Sequence, residues 1–225
     1  MIHLPRGVPV KEKINPARVN LPEAMQKLGS GGFSGYLRFD AKAGVGIIVF
    51  ENGRLVSALY QSRSSGKRTT GNEGLEDIFG VALQGHSVLN IYRVDSELVM
   101  ALYDVLYGDY VYQGLELEDV DIQSLLDTIR KTRLTGCLRV YTDKATVLVF
   151  YREGESLGFF HEGVPTMQTT ADLNRSVARM PGARMDLLAT RSTCDDSLAD
   201  LMAVLDLPAM WEALRGQFAS RSSAG

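Results

Sequence analysis

Apolar and polar positions follow one another along the chain in a pattern that returns after 101 residues. A shift of 101 places FSGYLRF (Phe33 to Phe39) on LTGCLRV (Leu134 to Val140) without a gap. The same shift keeps further apolar residues and turn glycines in register: Val19 with Val120, Leu21 with Ile122, Ala24 with Leu125, Met25 with Leu126, Leu28 with Ile129, Ile47 with Leu148, Ile48 with Val149 and Gly53 with Gly154. Self-similarity over this length predicts two copies of one structural unit.

The start of each copy carries the same helix signal. Asn20 and Asp121 stand in the same register, directly before apolar residues spaced i, i+3, i+4 and i+7. Their side-chain oxygens can accept hydrogen bonds from the free amides of a helix's first turn. Shared periodicity alone could make two segments look alike, but it does not explain why the caps repeat as well. Each copy is therefore predicted to open with a short amphipathic helix.

Three strands are predicted after this helix. Gly35 and Gly136 precede the first strand in equivalent positions. The second strand of the first copy ends at ENGR (Glu51 to Arg54), which favours a type I′ hairpin because asparagine and glycine tolerate positive φ angles. REG (Arg152 to Gly154) marks the matching turn of the second copy. A third strand, LVSALY or SLGFFH, completes an antiparallel meander in each copy.

The second halves of the two copies also correspond to each other, with small differences in length. A helix is predicted after Asn72 and another after Thr170, each followed by a strand, SVLNIYR or ARMDLLAT, and by a last helix. The apolar positions of the two middle helices are Leu75, Ile78, Phe79, Ala82 and Leu83, and Leu173, Val177 and Met180. Those of the two last helices are Leu98, Ala101, Leu102 and Val105, and Leu198, Leu201, Met202 and Leu205. The predicted fold class is α+β, with two tandem α-β-β-β-α-β-α units that each contain an antiparallel meander sheet.

The predicted boundaries follow from this repeat. Residues 1–18 are an N-terminal arm, 19–113 the first unit, 114–207 the second unit, and 208–225 a C-terminal helix with a disordered tail. The junction is placed at the polar, acidic stretch from Gly114 to Asp119, because domain boundaries favour such segments.

The pattern of a helix, [ST]-G-x-L, a strand and an apolar-F-x-x-G-x-[LI]-V-x-A segment resembles the PATAN domain, a small module of bacterial and archaeal signalling proteins. The matching residues of the first copy are Ser34, Gly35, Leu37, Val49, Phe50, Gly53, Leu55, Val56 and Ala58. Those of the second copy are Thr135, Gly136, Leu138, Phe150, Gly154 and Leu157. Phe159 replaces the small residue in the second copy, and Asp143 and Lys144 stand where a glycine-containing turn is usual. A looser resemblance extends to uncharacterised archaeal proteins with this arrangement near the N-terminus.

The resemblance implies an interaction module. PATAN-like domains are usually joined to receiver domains or occur beside motility and polarity systems, and no catalytic residues are attributed to them. The order of acidic pair, phosphorylatable aspartate and later lysine expected of a receiver domain does not occur in this sequence. The signalling interpretation therefore requires a protein partner supplied in trans.

Composition narrows the classes of function. Cys137 and Cys194 lie far apart without CxxC spacing, which argues against a disulfide framework or a zinc site and favours a reducing cytoplasm. The formal net charge is −3 and the basic residues are scattered, which disfavours nucleic acid as a partner. No stretch reaches the roughly eighteen consecutive apolar residues of a membrane span, and the N-terminus lacks the apolar core of a signal peptide. No cofactor, metal ligand or catalytic residue is predicted.

Two groups of residues are candidates for binding a partner. The hairpin tips contribute Asn52, Arg54, Arg152 and Glu153, because loops carry function more often than strands do. The C-terminal helix contributes one apolar stripe, which consists of Met210, Trp211, Leu214 and Phe218. For this helix we favour packing onto the second unit over a contact with another protein, and a membrane-surface contact is the weakest of the three alternatives.

Arg38 and Arg139 recur at equivalent positions. They could form a duplicated anion contact, but we favour two solvent-facing strand residues, since alternation places them opposite Leu37 and Leu138.

The leading hypothesis is a non-enzymatic scaffold or signalling adaptor that binds a protein partner. The alternative is a small-molecule or lipid-binding protein that uses a cleft between the two units, as duplicated folds readily create clefts. An enzyme with a dispersed site is a third possibility, and it would require carboxylates that only the fold brings together.

Overall fold

The structure is a computed structural model, and it describes residues 4–169, 176–190 and 198–222. These residues form two compact units. The first consists of residues 8–99 and 198–222, and the second of residues 4–7 and 100–190 without 170–175. Each unit contains one antiparallel sheet with helices, so the predicted α+β class with two tandem units is confirmed.

The first unit contains a six-stranded sheet. Its elements are β1 (Val8–Ile14), α1 (Leu21–Ser30), β2 (Gly35–Ala41), β3 (Gly44–Glu51), β4 (Arg54–Ser62), β5 (Arg68–Thr70), α2 (Gly71–Leu83), β6 (Ser87–Arg93) and the start of α3 (Ser96–Tyr107). The strand order is β1-β6-β2-β3-β4-β5, in which β2, β3 and β4 form the predicted meander and β5 is an additional strand. The chain returns to this unit after the second one and adds α5 (Leu201–Val204) and α6 (Leu207–Ser222).

The second unit repeats this sheet with five strands. Its elements are β7 (Asp109–Glu116), α4 (Ile122–Lys131), β8 (Gly136–Tyr141), β9 (Thr146–Arg152), β10 (Glu155–His161) and β11 (Arg184–Ala189). The strand order β7-β11-β8-β9-β10 matches that of the first unit, with β7 in the place of β1 and β11 in the place of β6. A β-bulge also recurs between the second and third meander strands, at Val49 to Phe50 and at the partners of Ser156 and Gly158.

Strands β1 and β7 are absent from the predicted unit. Residues 8–14 fall in the predicted N-terminal arm, and residues 109–116 overlap the predicted junction, yet both segments pair with a sheet. In β1, Pro9 and the charges at Lys11, Glu12 and Lys13 hide the strand signal. Proline and lysine are typical of edge strands, where they discourage pairing with other chains.

The hairpin turns have the predicted geometry. Asn52 and Gly53 have φ angles of 48° and 84°, and Glu153 and Gly154 have φ angles of 50° and 84°. Positive φ at both central residues is the mark of a type I′ turn. In each unit a hydroxyl oxygen accepts a hydrogen bond from the amide of the first turn residue, Ser34 Oγ from Asn52 at 2.9 Å and Thr135 Oγ1 from Glu153 at 3.0 Å.

This contact gives the repeated [ST]-G motif a structural reason. The hydroxyl holds the hairpin tip against the start of the first meander strand. The glycine that follows must lack a side chain, because a Cβ at Gly35 would overlap the Tyr92 carbonyl oxygen and one at Gly136 that of Leu188. The helix caps repeat too: Asn20 accepts from the amide of Glu23 at 3.4 Å, and Asp121 from that of Ser124 at 3.2 Å.

The end of the second copy differs from the prediction. The counterpart of α3 was expected around Leu198 to Leu205, but the described residues there form only the four-residue α5, within the first unit. Asp200 Oδ1 accepts hydrogen bonds from the amides of Met202 and Leu55, each at 3.0 Å. This one carboxylate both caps α5 and fixes it to β4, which explains why the segment leaves the second unit.

Candidate functional site: an apolar cavity in the second unit

One face of the first unit's sheet is covered by α2. Four apolar side chains of α2, spaced i, i+3, i+4 and i+7, point to the core: Leu75, Ile78, Phe79 and Ala82, all fully buried. They pack in one cluster with sheet residues that include Leu37, Phe39 and Ile48. Burial of this apolar surface is the main force that holds α2 on the sheet.

Helix α6 extends this cover with the same spacing. Leu207, Met210, Trp211 and Leu214 pack against the same cluster. Trp211 is 3% exposed, and its ring meets the Phe79 ring edge to face, with centroids 5.2 Å apart. The expectation that this helix packs onto the second unit is therefore wrong. Of the four candidate partner residues in α6, Trp211 is buried in the first unit, and Met210, Leu214 and Phe218 are half-buried.

The corresponding face of the second unit opens into a cavity of about 1030 Å³. We call five of its lining residues the floor, and they are Leu138, Val140, Val147, Val149 and Phe159. In the repeat register they are equivalent to Leu37, Phe39, Gly46, Ile48 and Ala58. The predicted middle helix of this unit is represented among the described residues by a single 3-10 turn, Val177–Arg179, and Leu173 lies outside them. The floor thus forms an apolar cavity where α2 lies in the first unit.

Burial at equivalent positions measures the difference between the two faces. Leu21 at the start of α1 is 0% exposed, whereas Ile122 at the start of α4 is 40% exposed. Ile48 is fully buried, whereas Val149 is half-buried. Met180, another residue that lines the cavity, is also exposed.

Two floor residues are larger than their counterparts. In the first unit a Cβ at Gly46 would overlap Ile78, and a Cβ at Gly74 would lie 2.9 Å from the Ala58 carbonyl oxygen, so α2 lies directly on this part of the sheet. Val147 and Phe159 occupy the equivalent positions of the second unit, and the Phe159 ring stacks on the His161 ring at 5.8 Å. A helix placed on the second unit must therefore lie farther from the sheet than α2 does.

Two carboxylates and one guanidinium group lie on the rim of the cavity. We use the term rim for Ile122, Met180, Glu118, Glu162 and Arg179, all of which are exposed and line the cavity. Glu162 forms an ion pair with Arg6 at 3.6 Å. The exposed carboxylate of Asp119 follows Glu118 directly and adds to the negative charge on that side.

The hairpin-tip candidates are engaged within their own units. Asn52 is exposed and bonded to Ser34, while half-buried Arg54 pairs with Glu51. Both border a second cavity, of about 660 Å³, beside α5.

In the second unit Glu153 pairs with Arg133, and both side chains are exposed. Arg152 is exposed as well. Burial raises the pKa of the Asp104 carboxyl above its usual value, and the charge of Arg152 offsets part of this effect. The structure does not bring the hairpin-tip candidates of the second unit to the apolar cavity.

The two repeated arginines are not a solvent-facing pair. Arg139 and Asp186 are buried cross-strand partners joined by hydrogen bonds, one of 2.6 Å from Nε. The preferred sequence interpretation is therefore wrong for Arg139. Arg38 is partly buried and binds Asp40 instead, with 2.9 Å between Nη2 and Oδ1.

A bulge on the neighbouring edge strand explains why Asp186 stays buried. Gly114 has a φ of 68°, and its amide donates to Asp186 Oδ1 at 2.6 Å. In the first unit Lys13 has a φ of 56°, and its amide donates to Asn90 Oδ1 at 2.9 Å. The bulge and its side-chain acceptor thus recur, and only the second unit uses a charged acceptor.

The buried cysteine of the second unit is not set up for nucleophilic chemistry. Cys137 is fully buried, and burial raises the pKa of its thiol, which disfavours the reactive thiolate. Within residues 4–169, 176–190 and 198–222, no three His, Cys, Asp or Glu side chains lie close enough together to hold a metal ion. No helix in this part of the chain has both the length and the apolar character needed to cross a membrane.

Sequence reasoning missed the cavity but recorded one signal of it. Phe159 departs from the small residue that the first copy has at Ala58. That substitution stands on the floor, at the point where α2 approaches the sheet most closely in the first unit.

Comparison with known proteins reaches only part of the chain. The model of a family described as an uncharacterised protein conserved in archaea, DUF2226, matches residues 2–106. This stretch contains the first unit up to α3, and the match agrees with the expected similarity to uncharacterised archaeal proteins. No curated protein and no solved structure matches the chain.

Proposed function

We propose that the protein is a non-enzymatic interaction module, a scaffold or signalling adaptor of the cytoplasm that binds a protein partner in trans. Its binding surface is the floor and rim of the cavity in the second unit. The observation that carries the proposal is the difference between two equivalent sheet faces, one covered by helices and the other forming an open apolar cavity. Exposed apolar surface of this kind is typical of interaction sites.

The resemblance to PATAN domains supports this proposal. It is carried by the [ST]-G motif and by the glycine of the hairpin turn, and domains of that type are interaction modules. Three buried groups of the second unit that could take part in chemistry are engaged in the fold. Arg139 and Asp186 neutralise each other, and the Cys137 thiol is buried.

The proposal is tested by capture from a lysate of the host with three variants. Val149→Glu places a charge on the floor, and Ile122→Gln removes an exposed apolar side chain from the rim. Val204→Glu is the matched control, because Val204 is apolar, 66% exposed and part of the first unit. We expect a stoichiometric protein partner that is retained by wild type and Val204→Glu and lost with both cavity variants. A partner retained equally by all four proteins would contradict the proposal.

A second candidate function is binding of a small apolar molecule or lipid in the same cavity. The volume of about 1030 Å³ favours it, since ligand cavities reach roughly 1,000 Å³ and are lined mainly by apolar side chains. Native mass spectrometry of the purified protein tests it. A bound molecule present in wild type and absent in Val149→Glu would favour this candidate over the adaptor.

A further inference from the structure

We infer that the cavity of the second unit accepts an amphipathic helix of the partner. The helix carries large apolar side chains at positions i, i+3, i+4 and i+7 and has Lys or Arg residues along its flanks. This inference rests on the proposed function and specifies the chemistry of the partner.

Helices cover the equivalent sheet face of the first unit. In the first unit that face is covered by α2, and α6 packs on α2 and α1. Both helices use the same four-residue spacing, at Leu75 to Ala82 and at Leu207 to Leu214. Recognition of an amphipathic helix in an apolar groove uses this same spacing. The chain itself therefore shows which element suits this type of sheet face.

The incoming helix needs large side chains to reach the floor. Because Val147 and Phe159 raise the floor, a helix backbone cannot approach it as α2 approaches Gly46 and Ala58. Side chains must then span the greater distance. Leu, Met, Phe and Trp are long enough, and α6 uses three of these residue types at Leu207, Met210 and Trp211.

The exposed apolar residues of the rim favour a helix over a small molecule as the occupant of the cavity. A small molecule on the floor would leave Ile122 and Met180 exposed, since both lie on the rim. A helix that lies across the cavity would cover both. Methionine is an adaptable contact residue at surfaces that bind apolar helices.

Carboxylates at the cavity mouth favour a helix with positive charge on its flanks. Glu118 and the adjacent Asp119 outnumber Arg179 at the cavity mouth, and the charge of Glu162 is offset by its ion pair with Arg6. Complementary potentials speed association and select partners. Lys or Arg on the flanks of the incoming helix would meet these carboxylates, and Asp or Glu there would be repelled.

Synthetic peptides and the full-length protein test the inference by fluorescence anisotropy at low and high salt. The main probe is the sequence of residues 206–220 with Glu212→Lys and Gln217→Lys, which makes an α6-like helix cationic. One matched probe has the native sequence, and another adds Trp211→Ala and Leu214→Ala to the cationic peptide. We expect saturable binding of the cationic peptide, several-fold weaker binding of the native one, and a loss of about thirtyfold or more without the aromatic and leucine anchors.

The protein variants assign the site. Val149→Glu and Ile122→Gln should each weaken binding of the cationic peptide, and Val204→Glu should not. Ile122→Gln changes an exposed residue, so its fold is preserved even if Val149→Glu unfolds the second unit. Absence of saturable binding, or binding that both cavity variants leave unchanged, would overturn the inference. The proposed function would survive that result if a captured partner still depends on Val149 and Ile122.

Thiol labelling tests whether the chain covers its own cavity. Val149→Cys is made in a Cys194→Ser background, where buried Cys137 serves as the slow internal reference. We expect rapid labelling of the new thiol by a maleimide and several-fold slower labelling when the cationic peptide is at saturation. A new thiol that reacts as slowly as Cys137 in the free protein would show that the chain itself occupies the site, and this would overturn the inference.

Discussion

Five antiparallel strands recur in the same order in both units, yet one face of the sheet is closed in the first unit and forms an open cavity in the second. Closure in the first unit needs two helices, α2 from its own half of the chain and α6 from the C-terminal region. In the second unit the equivalent residues line a cavity of about 1030 Å³. The order of the five shared strands, the hairpin turns and the caps of α1 and α4 do not distinguish the two units. The first unit differs by the additional strand β5 and by the helices that pack on its sheet.

The residues beneath the helix show how such a difference can arise. Gly46 and Ala58 leave room for the α2 backbone, and Val147 and Phe159 fill that room in the second unit. These two side chains therefore prevent a helix from packing as closely on the second sheet as α2 packs on the first. A duplicated fold can gain a binding surface in this way without any change to its sheet.

The largest expected difference between the units concerns their repeated arginines. Arg139→Met should reduce the free energy of unfolding by about 3–5 kcal/mol, because it leaves the buried carboxylate of Asp186 without its partner. Arg38→Met should cost about 1 kcal/mol or less, since its ion pair with Asp40 is partly exposed. Urea denaturation followed by circular dichroism measures both. The double variant Arg139→Met with Asp186→Leu should recover most of the loss, and equal costs at the two arginines would contradict this account.

A second matched pair compares the two sheet faces. Ile48→Ala should cost about 3 kcal/mol, because it opens a void in a closed core. Val149→Ala should cost only about 1 kcal/mol, since the side chain is half-buried and its removal enlarges an existing cavity. Fluorescence of Trp211, the single tryptophan, reports on unfolding of the first unit, and circular dichroism reports on both units. A larger loss at Val149 than at Ile48 would mean that the second face is closed.

The helix caps should be equivalent in the two units. Asn20→Ala should cost about 1 kcal/mol, because the amide of Glu23 loses its acceptor. Asp121→Ala should act in the same direction through the amides of Gln123 and Ser124. Conservative replacement by Ser at either position should restore most of the stability. A cap variant without effect in one unit would show that the repeat does not extend to local stability there.

The smallest expected difference appears when pH is lowered. Hydrogen bonds from the Ser124 hydroxyl and amide hold the pKa of Asp121 below its usual value. Its stabilising contribution is therefore present above the pKa of the unfolded chain and is lost as pH falls through the lower pKa of the folded state. Asn20 does not titrate, so Asn20→Ala should cost the same at both pH values. Thermal unfolding at pH 7 and near pH 3 should show a smaller effect of Asp121→Ala at the lower pH.

Sequence reasoning succeeded where structure depends on local backbone chemistry. The caps at Asn20 and Asp121 and the hairpin turns at Asn52 and Glu153 need only their immediate neighbours, and each has the predicted geometry. Strand β1 was not predicted, because its proline and charged residues are suited to a sheet edge and do not produce an alternation of apolar and polar residues. Long-range packing escaped as well, since no local pattern shows that Trp211 belongs beside Phe79.

The candidate site was less predictable than the fold. The apolar residues of the floor look like ordinary strand residues, and Leu138 and Val149 are as apolar as their buried counterparts Leu37 and Ile48. What makes them a site is the geometry of the elements around them, and sequence patterns do not describe it. Phe159 was the one departure from the repeat that pointed to the place.

The discontinuity of the first unit has a consequence for protein synthesis. Its residues 8–99 are made early, but α6 comes from residues 207–222, and nearly all of the second unit is made in between. Domains generally fold as units in the order in which they leave the ribosome. Here the cluster around Phe79 must wait for Trp211, so the nascent chain presents an unfinished apolar surface throughout translation of the second unit. Chaperone contact during elongation should therefore concentrate on the half of the protein that is synthesised first.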